Sequence, residues 1–165
     1  MSVSFIDEIN TWEQGEALLT LRECGLSEDM NVMNFGCGMP RYTMPAAKIV
    51  GNRGIVYAID KNQWILNHIE GRMNNESVTN VQRIKSNENK IKNFDYLVQF
   101  IMYYDMFHSV GKGMNGRLDE NKKLFHEFYR ILDMGGIFSF AVYSEVTSVM
   151  DYTNDPLRQR ANQSI

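Results

Sequence analysis

The sequence predicts a three-layer αβα domain built on a doubly wound, mostly parallel sheet, and three observations predict it. Five apolar runs rich in β-branched and aromatic residues recur along the chain, with amphipathic helix-like segments between them. A glycine turn, Gly36-Cys37-Gly38, follows the first run directly, and a carboxylate, Asp60, ends the second run 22 positions beyond Gly38. Strands that alternate with helices require parallel pairing through right-handed crossovers, which places helices on both faces of the sheet.

Residues 7 to 24 set Ile9, Trp12, Ala17, Leu18 and Leu21 at helical spacings, and Gly25 stops that leading helix. Asn31 to Phe35 is a short apolar run of buried-strand character that ends in Gly36. Tyr42 to Val50 follows as a helix, with Pro45 in the tolerated first turn, Thr43 as its expected cap and Gly51 as its stop. Gly54 to Asp60 is the second strand. Trp64, Ile65, His68, Ile69 and Met73 then mark a helix, and Val78 to Ile84 a weaker third strand.

Asp95 to Ile101 reads as strand four, and Gly111 to Gly116 as a surface loop. The helix Leu118 to Leu132 presents Leu124, Phe125, Phe128, Ile131 and Leu132 on one face, and Gly135-Gly136 turns the chain into a fifth strand, Ile137 to Tyr143. The expected organisation is one domain over residues 1–165, with a leading helical segment (1–30), a sheet core (31–143) and a tail (144–165).

Composition narrows the function. A chain of 165 residues with 44% hydrophobic content can bury one real core. Its net charge is −3 and its 17 Lys and Arg are scattered, so it lacks the basic stripe that nucleic acid would require. No apolar run approaches the length of a membrane span, which is about 20 residues. The acidic, polar start MSVSFIDEIN is unlike a signal peptide, and with only two cysteines, Cys24 and Cys37, a cytoplasmic location is expected. His68, His108, His126 and the cysteines show no ligand spacing, so no metal is expected, and the 11 dispersed Met residues read as core filler.

In doubly wound sheets, ligands bind beyond the carboxyl ends of the strands at the switch point. The segments that topology singles out are 34–41, 60–64, 86–88 and 99–103. Gly36 and Gly38 lack the Cβ that would bar a ligand from the backbone, although a tight turn without any ligand has the same composition. Asp60 can accept hydrogen bonds from ribose hydroxyls, or it can cap the helix that begins near Asn62. The dinucleotide fingerprint G-x-G-x-x-G would need glycine where Arg41 stands, which demotes NAD.

Four segments in order carry a family resemblance: Val32-Met33-Asn34-Phe35-Gly36-Cys37-Gly38, Val56-Tyr57-Ala58-Ile59-Asp60, Phe94-Asp95-Tyr96-Leu97-Val98, and Phe128 through Gly136. Together they resemble the class I S-adenosylmethionine-dependent methyltransferases over about residues 15–143. The resemblance implies a Rossmann-like methyltransferase fold with S-adenosylmethionine across the first two strand ends. It implies Asn34, Gly36, Cys37 and Gly38 beside the methionine part of the cofactor, Asp60 on the ribose, Lys61 against the adenine face and Asn87 at its edge. Phe100 and Ile101, just past strand four, would lie near the sulfonium. Methyl transfer depends chiefly on holding donor and acceptor in line, so no catalytic acid or base is assigned. His108, Tyr103, Tyr104, Tyr143 and Ser144 read as structural residues before catalytic ones.

The chain also departs from the family pattern. Asn34 stands where an acidic residue is usual, Pro40 where a third glycine is usual, and Ser86-Asn87-Glu88 where an Asp often meets the adenine amino group. Only a short polar tail follows Tyr143, so the usual last two strands are expected to be missing, with strand five left as an open edge. That edge predicts a homo-oligomer, a covering tail or another protein partner. The expected function is methyl transfer to an unidentified small-molecule acceptor, and the alternative is a non-catalytic binding or scaffold relative that has lost cofactor affinity.

Overall fold

The computed structural model describes residues 11–86, 91, 98–104, 114–142 and 145–151. Its six-stranded sheet has the order β3-β2-β1-β4-β5-β6. The strands are β1 (Val32–Phe35), β2 (Val56–Asp60), β3 (Val81–Lys85), β4 (Val98–Tyr104), β5 (Leu132–Val142) and β6 (Glu145–Asp151). The first five pair in parallel, and β6 is antiparallel to β5. The helices are α1 (Glu16–Glu23), α2 (Thr43–Val50), α3 (Gln63–Glu76) and α4 (Met114–Ile131), and residues 11–14 are also helical, leading into α1.

Alternation along the strands divides the core into two layers. Val32, Val56, Ala58, Phe100 and Met102 pack with Leu21, Ile49, Val50 and Leu66, on the face covered by α1, α2 and α3. Met33, Phe35, Tyr57, Ile101 and Tyr103 point the other way, onto Leu124, Phe128 and Ile131 of α4. Both layers bury β1 completely, as expected of a parallel strand covered on two faces. The α4 layer is dominated by rings: Phe35, Tyr103, Phe125 and Phe138 surround Phe128 at centroid distances of 5.3 to 6.2 Å. The Phe35 and Tyr103 rings meet Phe128 edge to face, which adds directionality to simple burial.

Several sequence expectations need correction. Strand four lies at 98–104 instead of 95–101, and residues 94–97 are outside the described residues. Helix α4 begins at Met114, so 114–116 are helical and not loop, while 111–113 lie outside the described residues. Gly135-Gly136 sits inside β5, in an irregular stretch where the pairing with β4 shifts register, and Gly135 has φ +78°. Trp64 belongs to α3, but it is 62% exposed and Leu66 takes the buried position instead.

The edge of strand five is covered by the tail, one of the three coverings expected for it. Ile137 to Val142 pair with β6, which returns antiparallel from Asp151 to Glu145. The segment Glu145-Val146-Thr147-Ser148-Val149-Met150-Asp151 places β-branched residues at 146, 147 and 149, which favour the extended backbone of β6.

Candidate functional site

The switch point falls between β1 and β4, where the chain winds to opposite sides of the sheet. At the carboxyl end of β1 the loop from Gly36 turns toward β2. The N–H groups of Gly36 and Cys37 both donate to the Ile59 carbonyl, at 2.8 and 3.0 Å. Gly36 and Gly38 have φ of +69° and +51°, a conformation that disfavours side chains with a Cβ and so favours glycine at both. Among the described residues, a Cβ built on Gly38 would meet only the Gly36 carbonyl oxygen, at 3.9 Å, so these residues leave the space above it open.

The two residues that sequence spacing singled out come together. The Gly38 N–H donates to Asp60 Oδ2 at 3.1 Å, and the Asn62 N–H donates to Asp60 Oδ1 at 2.8 Å. Asp60 therefore holds both the glycine loop and the start of α3, where Asn62 is the residue preceding the first turn. Its backbone carbonyl accepts from Ser86, which ties in the end of β3. Asp60 as a residue is 8% exposed, and each carboxylate oxygen has a second lone pair with which to accept from a diol. A glycine loop with open space above it and a carboxylate at its lip fit a ribose-bearing cofactor.

Asn34 is turned elsewhere. It is 3% exposed, and its Nδ2 donates to Thr43 Oγ1 at 3.0 Å. Thr43 opens α2, and no side chain caps that helix, so the expected cap is instead the acceptor that locks β1 to α2. Spacing could not have disclosed this pair, because only the register of α2 on the sheet puts Thr43 beneath Asn34. Cys37 is buried, and burial first, then the charge of Asp60, pushes its thiol up to about 12. Lys61 is exposed beside Asp60, and Pro40 is buried in the loop. Asn87 and Glu88 lie outside the described residues, as do His108, Tyr143 and Ser144.

Phe100 and Ile101 do not end the strand. Both are fully buried inside β4, level with Val32 and Met33, and on opposite faces. Gln99 lies at the amino edge, where its side chain accepts from the Asn31 N–H at 2.9 Å and donates to Asp133 at 3.1 Å. Tyr103 and Tyr104 take the terminal positions instead. Tyr103 belongs to the aromatic layer, and Tyr104 Oη lies 2.7 Å from Ser139 Oγ, so both are held within the packing of β4 and not on a helix after it. Burial pushes both phenols up from their ordinary value.

Sequence reading missed a chain of rings on the α2 side. Tyr42, immediately after the glycine loop, has its ring 4.6 Å from that of Tyr104, and Trp12 meets Tyr42 edge-on at 6.2 Å. Among the described residues there is no cluster of His, Cys, Asp and Glu that could hold a metal, and no helix long and apolar enough to cross a membrane.

With this geometry established, comparison with known proteins gives a consistent result. The model of the ubiE/COQ5 methyltransferase family matches residues 6–155. No curated protein matches the sequence. A solved S-adenosylmethionine-dependent methyltransferase from Aquifex aeolicus is similar, with 28% identity over 84% of this chain and 72% of its own, and a TM-score of 0.65. Coclaurine N-methyltransferase, bound to N-methylheliamine and S-adenosylhomocysteine, shares the fold at 14% identity over 85% of this chain and 38% of its own, with a TM-score of 0.62. An rRNA methylase from Streptococcus thermophilus shares it at 13% identity over 98% and 81%, with a TM-score of 0.57.

Proposed function

The chain belongs to the ubiE/COQ5 methyltransferase family, and on that premise we propose that it binds S-adenosylmethionine at the carboxyl ends of β1 and β2 and methylates a small-molecule acceptor. The observation that carries this reading is the contact of Gly38 with Asp60, which sets a buried carboxylate beneath an open glycine loop. When bound, the cofactor supplies an activated methyl group, and the protein's task is to hold donor and acceptor in line. In this reading Asp60 accepts from the ribose hydroxyls, Gly36 and Gly38 admit the chain of the cofactor, and the alkyl stem of Lys61 covers one adenine face.

A small-molecule acceptor is favoured by charge. A net charge of −3, with the 17 Lys and Arg scattered along the sequence, favours a small acceptor over a polyanionic RNA backbone. A second reading, a relative that keeps the fold without the activity, draws on Asn34. Its amide is committed to Thr43, and a neutral amide offers a cofactor ammonium less than a carboxylate would.

Calorimetric titration with S-adenosylmethionine and S-adenosylhomocysteine separates the two readings. The first expects saturable binding of both. Neither heat nor thermal stabilisation at millimolar ligand would eliminate it in favour of the second.

A further inference from the structure

We propose that Arg72 is a positioning residue for the cofactor site: by holding Glu13 it fixes Trp12 against Tyr42, and through Tyr42 it sets the glycine loop. The proposal rests on the cofactor reading above and deepens it.

Glu13 lies in the helical residues that lead into α1 and is 2% exposed. A buried carboxylate without a partner is costly, so its partner decides where this segment can sit. That partner is Arg72 of α3, which donates from Nη2 to Glu13 Oε2 at 2.6 Å and from Nη1 to Oε1 at 3.3 Å. The guanidinium is itself held, because its Nε donates to Glu76 Oε1 at 2.6 Å, and Glu76 also meets Lys48 of α2 at 2.8 Å. Two acids and two bases thus join the leading segment, α2 and α3.

An apolar contact would hold the leading segment to the helices as well, but it would leave the segment free to rotate. A planar fork on a carboxylate fixes its orientation. The neighbour of Glu13 shows what that orientation serves. Trp12 meets the Tyr42 ring, and Tyr42 meets Tyr104 at the end of β4. Tyr42 directly precedes α2 and closes the loop that starts at Gly36, so a displaced Tyr42 must displace the loop.

The test uses a Trp64→Phe background, in which Trp12 is the single tryptophan of the chain. Trp12 emission, acrylamide quenching and S-adenosylhomocysteine affinity are measured for this parent, Arg72→Met and Arg72→Lys. The expected result is a red-shifted, more quenchable Trp12 and affinity reduced roughly fivefold or more in Arg72→Met, with partial recovery in Arg72→Lys, and cooperative melting throughout. Glu13→Gln, which keeps the shape and removes the charge, is expected to repeat the effect and takes the place of Arg72→Met should that variant not fold. Unchanged quenching in the variant overturns the proposal, and so does a released Trp12 with unchanged affinity. A parent that fails to bind S-adenosylhomocysteine overturns the cofactor reading itself, and the proposal with it. A parent that binds as the variant does overturns the positioning role alone.

Discussion

The Gly38 N–H donates to Asp60 Oδ2 across 22 positions of sequence at 3.1 Å. This contact makes one carboxylate responsible for two tasks: it closes the glycine loop onto β2, and it presents the acceptor that a ribose would need. The two tasks can be separated by substitution.

Asp60→Ala removes both. Loss of charge-assisted hydrogen bonds, at about 1.5–3 kcal/mol, is expected to weaken S-adenosylhomocysteine binding by roughly ten- to a hundredfold and to lower the melting temperature. Asp60→Asn retains one oxygen acceptor, so it should recover part of the stability and less of the affinity. Titration calorimetry alongside thermal melts checks this, and an unchanged affinity in Asp60→Ala would show the ribose assignment to be wrong.

Phe100 supplies the opposite case, a residue whose position in the sequence suggested the site and whose position in β4 places it in the core. Phe100→Ala is expected to cost about 3–5 kcal/mol of stability, measured by denaturant unfolding. In the protein that remains folded, S-adenosylhomocysteine affinity should match the parent. A selective loss of affinity with stability intact would restore Phe100 to the site.

These two residues also show what was legible in the sequence. The order of strands and helices, the glycine turn and the carboxylate 22 positions away were legible, because glycine at positive φ and an acid at a strand end are local requirements of the switch point. The boundaries of strand four were not, since apolar residues run from Tyr96 to Tyr104 broken only by Gln99, and it is pairing with β1 at 100–102 and with β5 at 98 and 100–104 that selects 98–104. The Asn34 to Thr43 bond and the Glu13 to Arg72 pair were equally hidden. Each depends on how a helix is rotated on the sheet, which periodicity leaves open for polar residues.

Two glycines in ordinary-looking places should respond oppositely to alanine. A Cβ at Gly54 would lie 2.5 Å from the Met30 carbonyl oxygen and 2.6 Å from Val50 Cβ, in the tight entry to β2. Gly54→Ala must therefore move the backbone, and destabilisation of about 1–3 kcal/mol is expected. Gly71 lies inside α3, and among the described residues no atom comes within 4 Å of its missing Cβ, so Gly71→Ala should stabilise by about 0.5–1 kcal/mol. Chemical denaturation of both variants decides, and a destabilised Gly71→Ala would contradict the open environment assigned to it.

Acid should loosen the charged cluster on α3. Burial opposes the Glu76 carboxylate, but hydrogen bonds from Lys48 and Arg72, together with their charges, outweigh it and hold its pKa below the ordinary 4.5. A depressed folded-state pKa contributes stability that is present above the unfolded value and is lost as pH falls through the folded one. Melting temperatures should therefore decline below about pH 4.5, and they should decline less in Glu76→Gln. Parallel curves for the two proteins would mean that Glu76 contributes no such linkage.

Cys37 is coupled to Asp60 at alkaline pH. Burial, then the Asp60 charge, raises its thiol from 9.0 to about 12, so the folded protein keeps a proton that the unfolded chain releases. The resulting stability is complete below about pH 9 and is lost as pH rises toward 12. Between these limits the parent should lose more stability than Cys37→Ala, a difference that cancels the alkaline contributions of Tyr103 and Tyr104 common to both. Asp60→Asn removes the repelling charge and leaves the burial, so it should shrink the difference without abolishing it. The native thiol should also resist iodoacetamide at pH 8 and react once the chain is unfolded, because only the thiolate attacks. Rapid alkylation of Cys37 in the folded protein would show that the loop between Gly36 and Gly38 opens far more readily than its hydrogen bonds to Ile59 and Asp60 allow.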